Sequence, residues 1–161
     1  MAKATLDDAT RRKITDLNDS YIRAIDDDRL EEWPVLFTEK CLYRITTREN
    51  YARGFEMPLM EGISRGMLID RVTGYRRVNI YEPHRYTHMV SGLAVEKIDG
   101  NRVTCRQNYL VIRTMINGEM TVFSAGIYYD KILLGADGAM FEERIVVQES
   151  CRVDTLLVIP L

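Results

Sequence analysis

Both histidines of the sequence, His84 and His88, lie in one short run, residues 81–88. On a helix, two imidazole rings four residues apart are neighbours, about 5–6 Å apart between Cβ atoms, and can bind one metal ion. On a strand the same spacing is about 13 Å, so the rings share a face without reaching a common ion. The secondary structure of this run therefore decides what chemistry the two histidines can do.

The run is predicted to be extended. Pro83 could begin a helix, but Tyr86, Thr87, Met89 and Val90 lead into a long segment rich in β-branched and aromatic residues. A shared metal site is then disfavoured, and no further ligand motif accompanies the pair.

Two other roles for the histidines stay open. A neutral histidine inside a cavity could transfer protons beside Asp26 or Tyr21 of the first predicted helix, as a general acid or base. The second role, which the sequence favours, is structural: His84 and His88 form hydrogen bonds at a surface or a subunit interface. The sequence contains no GxSxG, HExxH, P-loop or GxGxxG pattern, so nothing in it resembles a self-sufficient catalytic centre.

Arginines form a second cluster, in which aromatic residues are interleaved. They lie on a predicted helix, residues 64–77, and on the segment that follows it. Solvated helix charge explains such a cluster, and so does a protein interface, where arginine is enriched and pairs with carboxylates. The predicted interface residues are Arg65, Arg71, Arg76, Arg77, Tyr81, His84, Arg85, Tyr86 and His88.

Helical patterns dominate the first half of the chain. Apolar residues recur every three or four positions over residues 6–26, where Thr5 and Asp8 suit a helix start, and a short helix carries Leu30 to Trp33 until Pro34 ends or bends it. Ser64 suits the cap of the 64–77 helix, with Met67, Leu68, Val72 and Tyr75 on one face. Between them we predict a strand at 40–46 and a long loop or lid at 46–61.

The second half has the pattern of an antiparallel sheet. Asp99-Gly100, Asn117-Gly118 and Asp137-Gly138 are preferred type I′ hairpin turns, and they separate predicted strands at 86–98, 102–115, 120–133 and 139–150. Gly92 and Gly126 indicate bulges or bends where the sheet curls. The prediction is one α+β domain, residues 1–161, with its N-terminal helices packed in a curled antiparallel sheet.

Composition narrows the function classes. With 161 residues, 46% of them hydrophobic, and a net charge of −2, the chain can form a core and offers no polycationic surface for nucleic acid or anionic lipid. No segment resembles a signal peptide or a membrane span, so we expect a cytoplasmic protein. Cys41, Cys105 and Cys151 are expected to be free and buried. The apolar segment 152–161 should dock against this domain's core or a partner subunit.

Four segments carry a resemblance to a known family: residues 30–38 (LEEWPVLFT), 65–72 (RGMLIDRV), 79–88 (NIYEPHRYTH) and 154–161 (DTLLVIPL). From about residue 15 onward the chain resembles the small (beta) subunits of aromatic-ring-hydroxylating dioxygenases. Within that family it is most similar to members that act on aromatic acids, such as the salicylate, anthranilate and terephthalate hydroxylases.

The resemblance implies a cone-shaped, nuclear-transport-factor-2-like domain in a hetero-oligomer, commonly alpha3beta3, that contains other beta subunits. The large (alpha) subunit would carry a Rieske 2Fe–2S cluster and a mononuclear iron, and a reductase would deliver electrons from NADH. Three cysteines and two histidines cannot build both iron sites. We therefore expect no catalytic, cofactor-binding or metal-binding residue in this chain.

Two alternatives use the same cone. In the first, the chain is a free-standing isomerase, dehydratase or cyclase, with His84 or His88 and Asp26 as acid and base. In the second, it is a ligand-binding module without catalysis.

Overall fold

A computed structural model describes residues 6–55, 57–153 and 157–161. The helical elements are α1 (Asp8–Asp26), two 3₁₀ turns (Leu30–Glu32 and Pro34–Leu36), α2 (Arg48–Ala52) and α3 (Arg65–Arg77). The strands are β1 (Phe37–Thr47), β2 (Met60–Gly62), β3 (His84–Asp99), β4 (Arg102–Met115), β5 (Met120–Leu134) and β6 (Ala139–Gln148).

The six strands form one sheet in the order β2-β1-β6-β5-β4-β3. The four-stranded antiparallel meander predicted for the second half is confirmed as β3 to β6. Strand β1 pairs antiparallel with β2, whereas its pairing with β6 is parallel and was not predicted. Parallel strands need a long connection instead of a hairpin, so no local turn signal marks this pairing.

The prediction of type I′ geometry at the three hairpin turns is wrong. A type I′ turn requires positive φ at both central residues. Gly100 (φ 58°) and Gly118 (φ 88°) are left-handed, but among the described non-glycine residues only Asp28 has positive φ. The hairpins are where the sequence places them, and glycine alone supplies the left-handed residue at the first two turns.

Helices α1 and α3 lie against the sheet through one apolar face each. The side chain of Asp7, the N-cap of α1, accepts a hydrogen bond from the Thr10 N–H at 2.9 Å; the predicted start at Thr5 lies outside the described residues. Ser64 caps α3 as predicted. Leu68, Val72 and Tyr75 are buried, whereas Met67 is 44% exposed, so its assignment to the buried face is wrong.

The described part of residues 46–61 is only partly a loop. It contains the end of β1, helix α2 and the start of β2, and the register pairs Tyr43 with Gly62 and Ile45 with Met60. Strand β2 therefore forms one edge of the sheet. The prediction of a long loop or lid is wrong for these helical and strand residues, whereas residues 53–55 and 57–59 lie outside helices and strands as predicted.

Other parts of the chain test the remaining fold predictions. The three cysteines are free, but only Cys41 and Cys105 are buried, so the prediction for Cys151 is wrong. Within the described ranges, no helix has both the length and the apolar character needed to cross a membrane.

Two positions inside the strands require glycine, for different reasons. Gly92 has φ 68° and lies where the β3–β4 register shifts, as a bulge requires. Gly126 in β5 has no such φ; instead, a Cβ there would lie 2.0 Å from the carbonyl oxygen of Val147 on β6. Close approach of the two backbones therefore demands glycine at this position.

Replacing Gly126 by alanine should destabilise the fold by about 3 kcal/mol or more, because the clash is with backbone and no flexible side chain can yield. The free energy of unfolding, from urea denaturation, measures the effect. Gly138→Ala is the control: a Cβ there meets nothing within 4 Å, so the change should stay within about 0.5 kcal/mol. Equal effects at the two positions would contradict this account of Gly126.

Candidate functional site

The histidine run begins strand β3, as predicted, and its alternate residues face the inside of the cone. The ring of Tyr86 lies between the two imidazoles, with centroids 5.2 Å from His84 and 6.1 Å from His88. His84 donates Nδ1–H to the carbonyl oxygen of Glu82 at 2.7 Å. An aromatic ring thus separates the histidines. Among the described residues, no group of three His, Cys, Asp or Glu side chains could hold a metal ion.

His88 is bound to Asp26 at the C-terminal end of α1. The Asp26 carboxylate accepts the His88 backbone N–H at 2.7 Å and its Nδ1–H at 2.5 Å. The His88 side chain is completely buried, and the Asp26 side chain is 17% exposed. This contact ties the end of α1 to the start of the meander. It unites two residues that the sequence suggested as an acid–base pair, and Tyr21 is not part of it.

A cavity of about 460 Å³ opens beside this pair, between the end of α1, the end of α3 and the residues before β3. The rings of Tyr75 and Tyr81 stack at 4.9 Å along it. Asp26 is the member of the Asp26–His88 pair that lines it. Four predicted interface residues also line it: Tyr81, His84, Arg85 and Tyr86.

In the interior of the cone, away from this cavity, lies a buried arginine. The guanidinium of Arg144 on β6 forms two hydrogen bonds of 2.8 Å with the Asp130 carboxylate on β5, and a third of 2.5 Å with Asn18 of α1. Both charged side chains are completely buried. Burial by itself lowers the pKa of Arg144, but the charge of Asp130 outweighs it and the pKa is raised.

Aromatic rings enclose this guanidinium. Its central carbon lies 4.2 Å from the ring centroid of Tyr21, 4.2 Å from that of Tyr128 and 4.0 Å from that of Phe141. This cluster was not predicted from the sequence, although a signal for it was present. Asp130 and Arg144 have opposite charges at positions nearly equidistant from the turn at Gly135 and Gly138, so the hairpin pairs them.

The last residues of the chain pack in the core of the cone. Val158, Ile159 and Leu161 are at most 5% exposed and belong to the hydrophobic core. The hydroxyls of Tyr21 and Tyr43 donate to the carbonyl oxygen of Leu161 at 2.5 and 3.1 Å. For the described residues of segment 152–161, the prediction of a docked terminus is confirmed, and the surface is this domain's own core.

Three arginines of the predicted interface cluster bind other parts of this chain. Arg65 donates to the Phe37 carbonyl and pairs with Glu39. Arg71 donates to the Leu157 carbonyl at 2.8 Å. Arg76 pairs with Asp28 and Glu31 at 2.7 and 2.8 Å.

Arg77 and Arg85 are exposed, whereas Tyr86 and His88 are buried. The nine predicted interface residues therefore do not form one exposed surface. Whether any of them contacts another subunit stays a prediction.

Comparison with known proteins shows two levels of similarity. The SnoaL-like domain family matches residues 8–145. The anthranilate 1,2-dioxygenase small subunit of Burkholderia cepacia is 40% identical over 161 residues and is covered, like this chain, over 100% of its length. The terephthalate 1,2-dioxygenase terminal oxygenase component subunit beta 1 of Comamonas sp. is 36% identical, over 92% of this chain and 97% of the relative.

A solved structure extends the likeness to three dimensions. It comes from Novosphingobium aromaticivorans and is described as the beta subunit of an aromatic-ring-hydroxylating dioxygenase. The TM-score is 0.87 at 32% identity, and the alignment covers 95% of this chain and 97% of that one. The cone-shaped α+β fold implied by the resemblance is thereby confirmed.

Removing the partner of the buried arginine should be costly. We expect Asp130→Ala to lower the free energy of unfolding by about 3–5 kcal/mol, because an uncompensated charge would remain in the core. Glu149→Ala, which breaks a pair with Arg48 whose side chains are 47% and 70% exposed, should cost less than about 1 kcal/mol. Urea denaturation of both variants checks the contrast, and similar losses would refute it.

Proposed function

Because this chain belongs to the SnoaL-like family and, within it, to the small (beta) subunits of aromatic-ring-hydroxylating dioxygenases, we propose that it is a non-catalytic subunit. Its role would be to stabilise an oligomer of the large subunit, which performs the chemistry. The observation that carries this proposal is the filled interior of the cone. Arg144, its ring partners and the side chains of Val158, Ile159 and Leu161 are buried in that interior, and the charge of Arg144 is already paired there.

The ligand count supports the same division of labour. A Rieske cluster needs two cysteines and two histidines, and a mononuclear iron of this class needs two more histidines and a carboxylate. Two histidines in the whole sequence fall short, and both have other contacts here. In the proposed complex the large subunit binds both iron centres, and a reductase supplies it with electrons from NADH.

The proposed substrate is an aromatic acid, hydroxylated with O₂. Two relatives are named for anthranilate and terephthalate, which are both aromatic carboxylates. We propose a cytoplasmic complex of alpha3beta3 type, in which each small subunit contacts a large subunit and other copies of itself.

The docking surface for the large subunit is proposed to be the segment that leaves α3, residues 77–85. Ile80 is 95% exposed and Val78 is 74% exposed, and Arg77 and Arg85 flank them. Exposed apolar residues beside arginines are typical of the centre and rim of protein interfaces. Four other predicted interface residues would act indirectly, by holding α3 and β3 in place, because their polar groups bind other parts of this chain: Arg65, Arg71, Arg76 and His88.

Ile80→Asp should abolish most of the association with the large subunit, with a loss of affinity of about 30-fold or more, because a charge would be buried against an apolar partner. The side chain makes little contact within its own chain, so the variant should fold normally. Co-expression with the large subunit and quantitative pull-down measures the effect.

Ile98→Asp is the matched control for this experiment. Ile98 is 38% exposed and lies at the opposite end of β3, about 46 Å along the strand from His84. It should leave the pull-down unchanged. If Ile80→Asp retains full association while wild-type complex forms, the docking surface lies elsewhere.

The contact between His88 and Asp26 favours one rival, a free-standing cone enzyme with these residues as acid and base. The two proposals differ in where turnover occurs and in what His88→Ala does to it. As a supporting subunit, the variant should give less complex, but the complex that assembles with its full iron content should keep kcat within about two-fold. As the general acid or base of a free-standing enzyme, His88 would contribute about 10²–10⁴-fold to the rate, so the chain alone would turn over without a large subunit or iron and His88→Ala would lose that factor.

A further inference from the structure

The last five residues of the chain belong to no helix or strand and have a bend at Ile159. We call residues 157–161 the tail strap. Its side chains at Val158, Ile159 and Leu161 are 2%, 5% and 1% exposed and pack in the same core as α1 and α3. The strap is therefore part of the interior, although it lies outside every helix and strand.

Two buried hydroxyls bind the end of the tail strap. Tyr21 of α1 and Tyr43 of β1, both fully buried, donate to the carbonyl oxygen of Leu161, and the Leu161 N–H donates to the Tyr43 hydroxyl at 3.0 Å. Burial raises the pKa of both phenols, so both remain protonated donors. The backbone of Leu161 is thus anchored to a helix and to a central strand.

The other end of the tail strap is bound to α3. The Arg71 guanidinium donates to the Leu157 carbonyl oxygen at 2.8 Å. Ile159 lies at the 460 Å³ cavity together with Tyr75 of α3 and with Tyr81, His84 and Arg85 of the segment that follows it. The tail strap therefore links the buried tyrosines of α1 and β1 to α3, the helix that leads into the proposed docking surface.

We propose that the tail strap positions α3 and the exposed segment after it for the partner subunit, with Tyr21, Tyr43 and Arg71 as the positioning residues. This inference rests on the proposed function for its consequence in assembly, but the coupling between strap and helix belongs to the isolated chain. Leu161 is too deeply buried to contact a partner, so an effect of its loss on docking would be indirect, and the contact of Arg71 with Leu157 is the route to α3 for which we argue.

The test uses the full-length chain with Leu161→Ala. Val103→Ala is the matched control, because it truncates another buried core residue, on β4. Hydrogen exchange measures the backbone amides of α3 and of β4 in each variant. We expect Leu161→Ala to speed exchange in α3 by at least ten-fold more than in β4, whereas Val103→Ala gives no such preference for α3.

A second measurement connects the strap to assembly. In pull-down with the large subunit, Leu161→Ala should lose at least ten-fold in affinity, Tyr43→Phe should lose less because it keeps the ring, and Val103→Ala should retain binding. If Leu161→Ala speeds hydrogen exchange equally in α3 and β4, the proposed coupling between the tail strap and α3 is wrong. If the wild-type chain does not bind the large subunit, the proposed function is wrong. The exchange data on the isolated chain still test the coupling between the tail strap and α3.

Discussion

A fully buried guanidinium is the constraint on which the rest of this structure depends. An unpaired charge in a protein interior costs several kcal/mol, so Arg144 requires an equally buried carboxylate with good geometry. Asp130 provides it through two hydrogen bonds, and Asn18 provides a third acceptor from α1. The pair therefore fixes the register of β5 against β6 and the position of α1 over the sheet. Rings of Tyr21, Tyr128 and Phe141 then exclude water from it.

The chain's own side chains occupy the centre of the cone. Enzymes use concave sites, whereas here the centre of the concave face holds an ion pair, aromatic rings and the end of the chain. The cavity beside Asp26 and the apolar segment that follows α3 lie outside this buried centre. The proposed role, to position and stabilise a partner, agrees with the chain's membership of a family of small subunits.

Local signals explain which features could be predicted from sequence. The strands β3 to β6 are joined by short hairpins, and glycine-containing turns with alternating β-branched residues mark them in the sequence. Ser64 and the periodic residues of α3 were visible for the same reason. The parallel pairing of β1 with β6 was not, since about ninety residues separate the two strands and no turn joins them.

The site was harder to predict than the fold, because its contacts join distant parts of the chain. His88 and Asp26 are 62 positions apart, and Tyr21 and Leu161 are 140 apart. The sequence predicts Arg71 and Arg76 as interface residues, because it cannot show that they bind a carbonyl oxygen and a carboxylate elsewhere in the chain.

Native mass spectrometry with iron analysis, on the complex isolated through this chain from its source cell, tests the central claim most directly. A non-catalytic small subunit should appear together with a larger polypeptide, in equal numbers, and all of the iron should remain with the larger chain after the two are separated. The chain isolated on its own as a homo-oligomer, with catalytic turnover and without a larger partner, would contradict the claim.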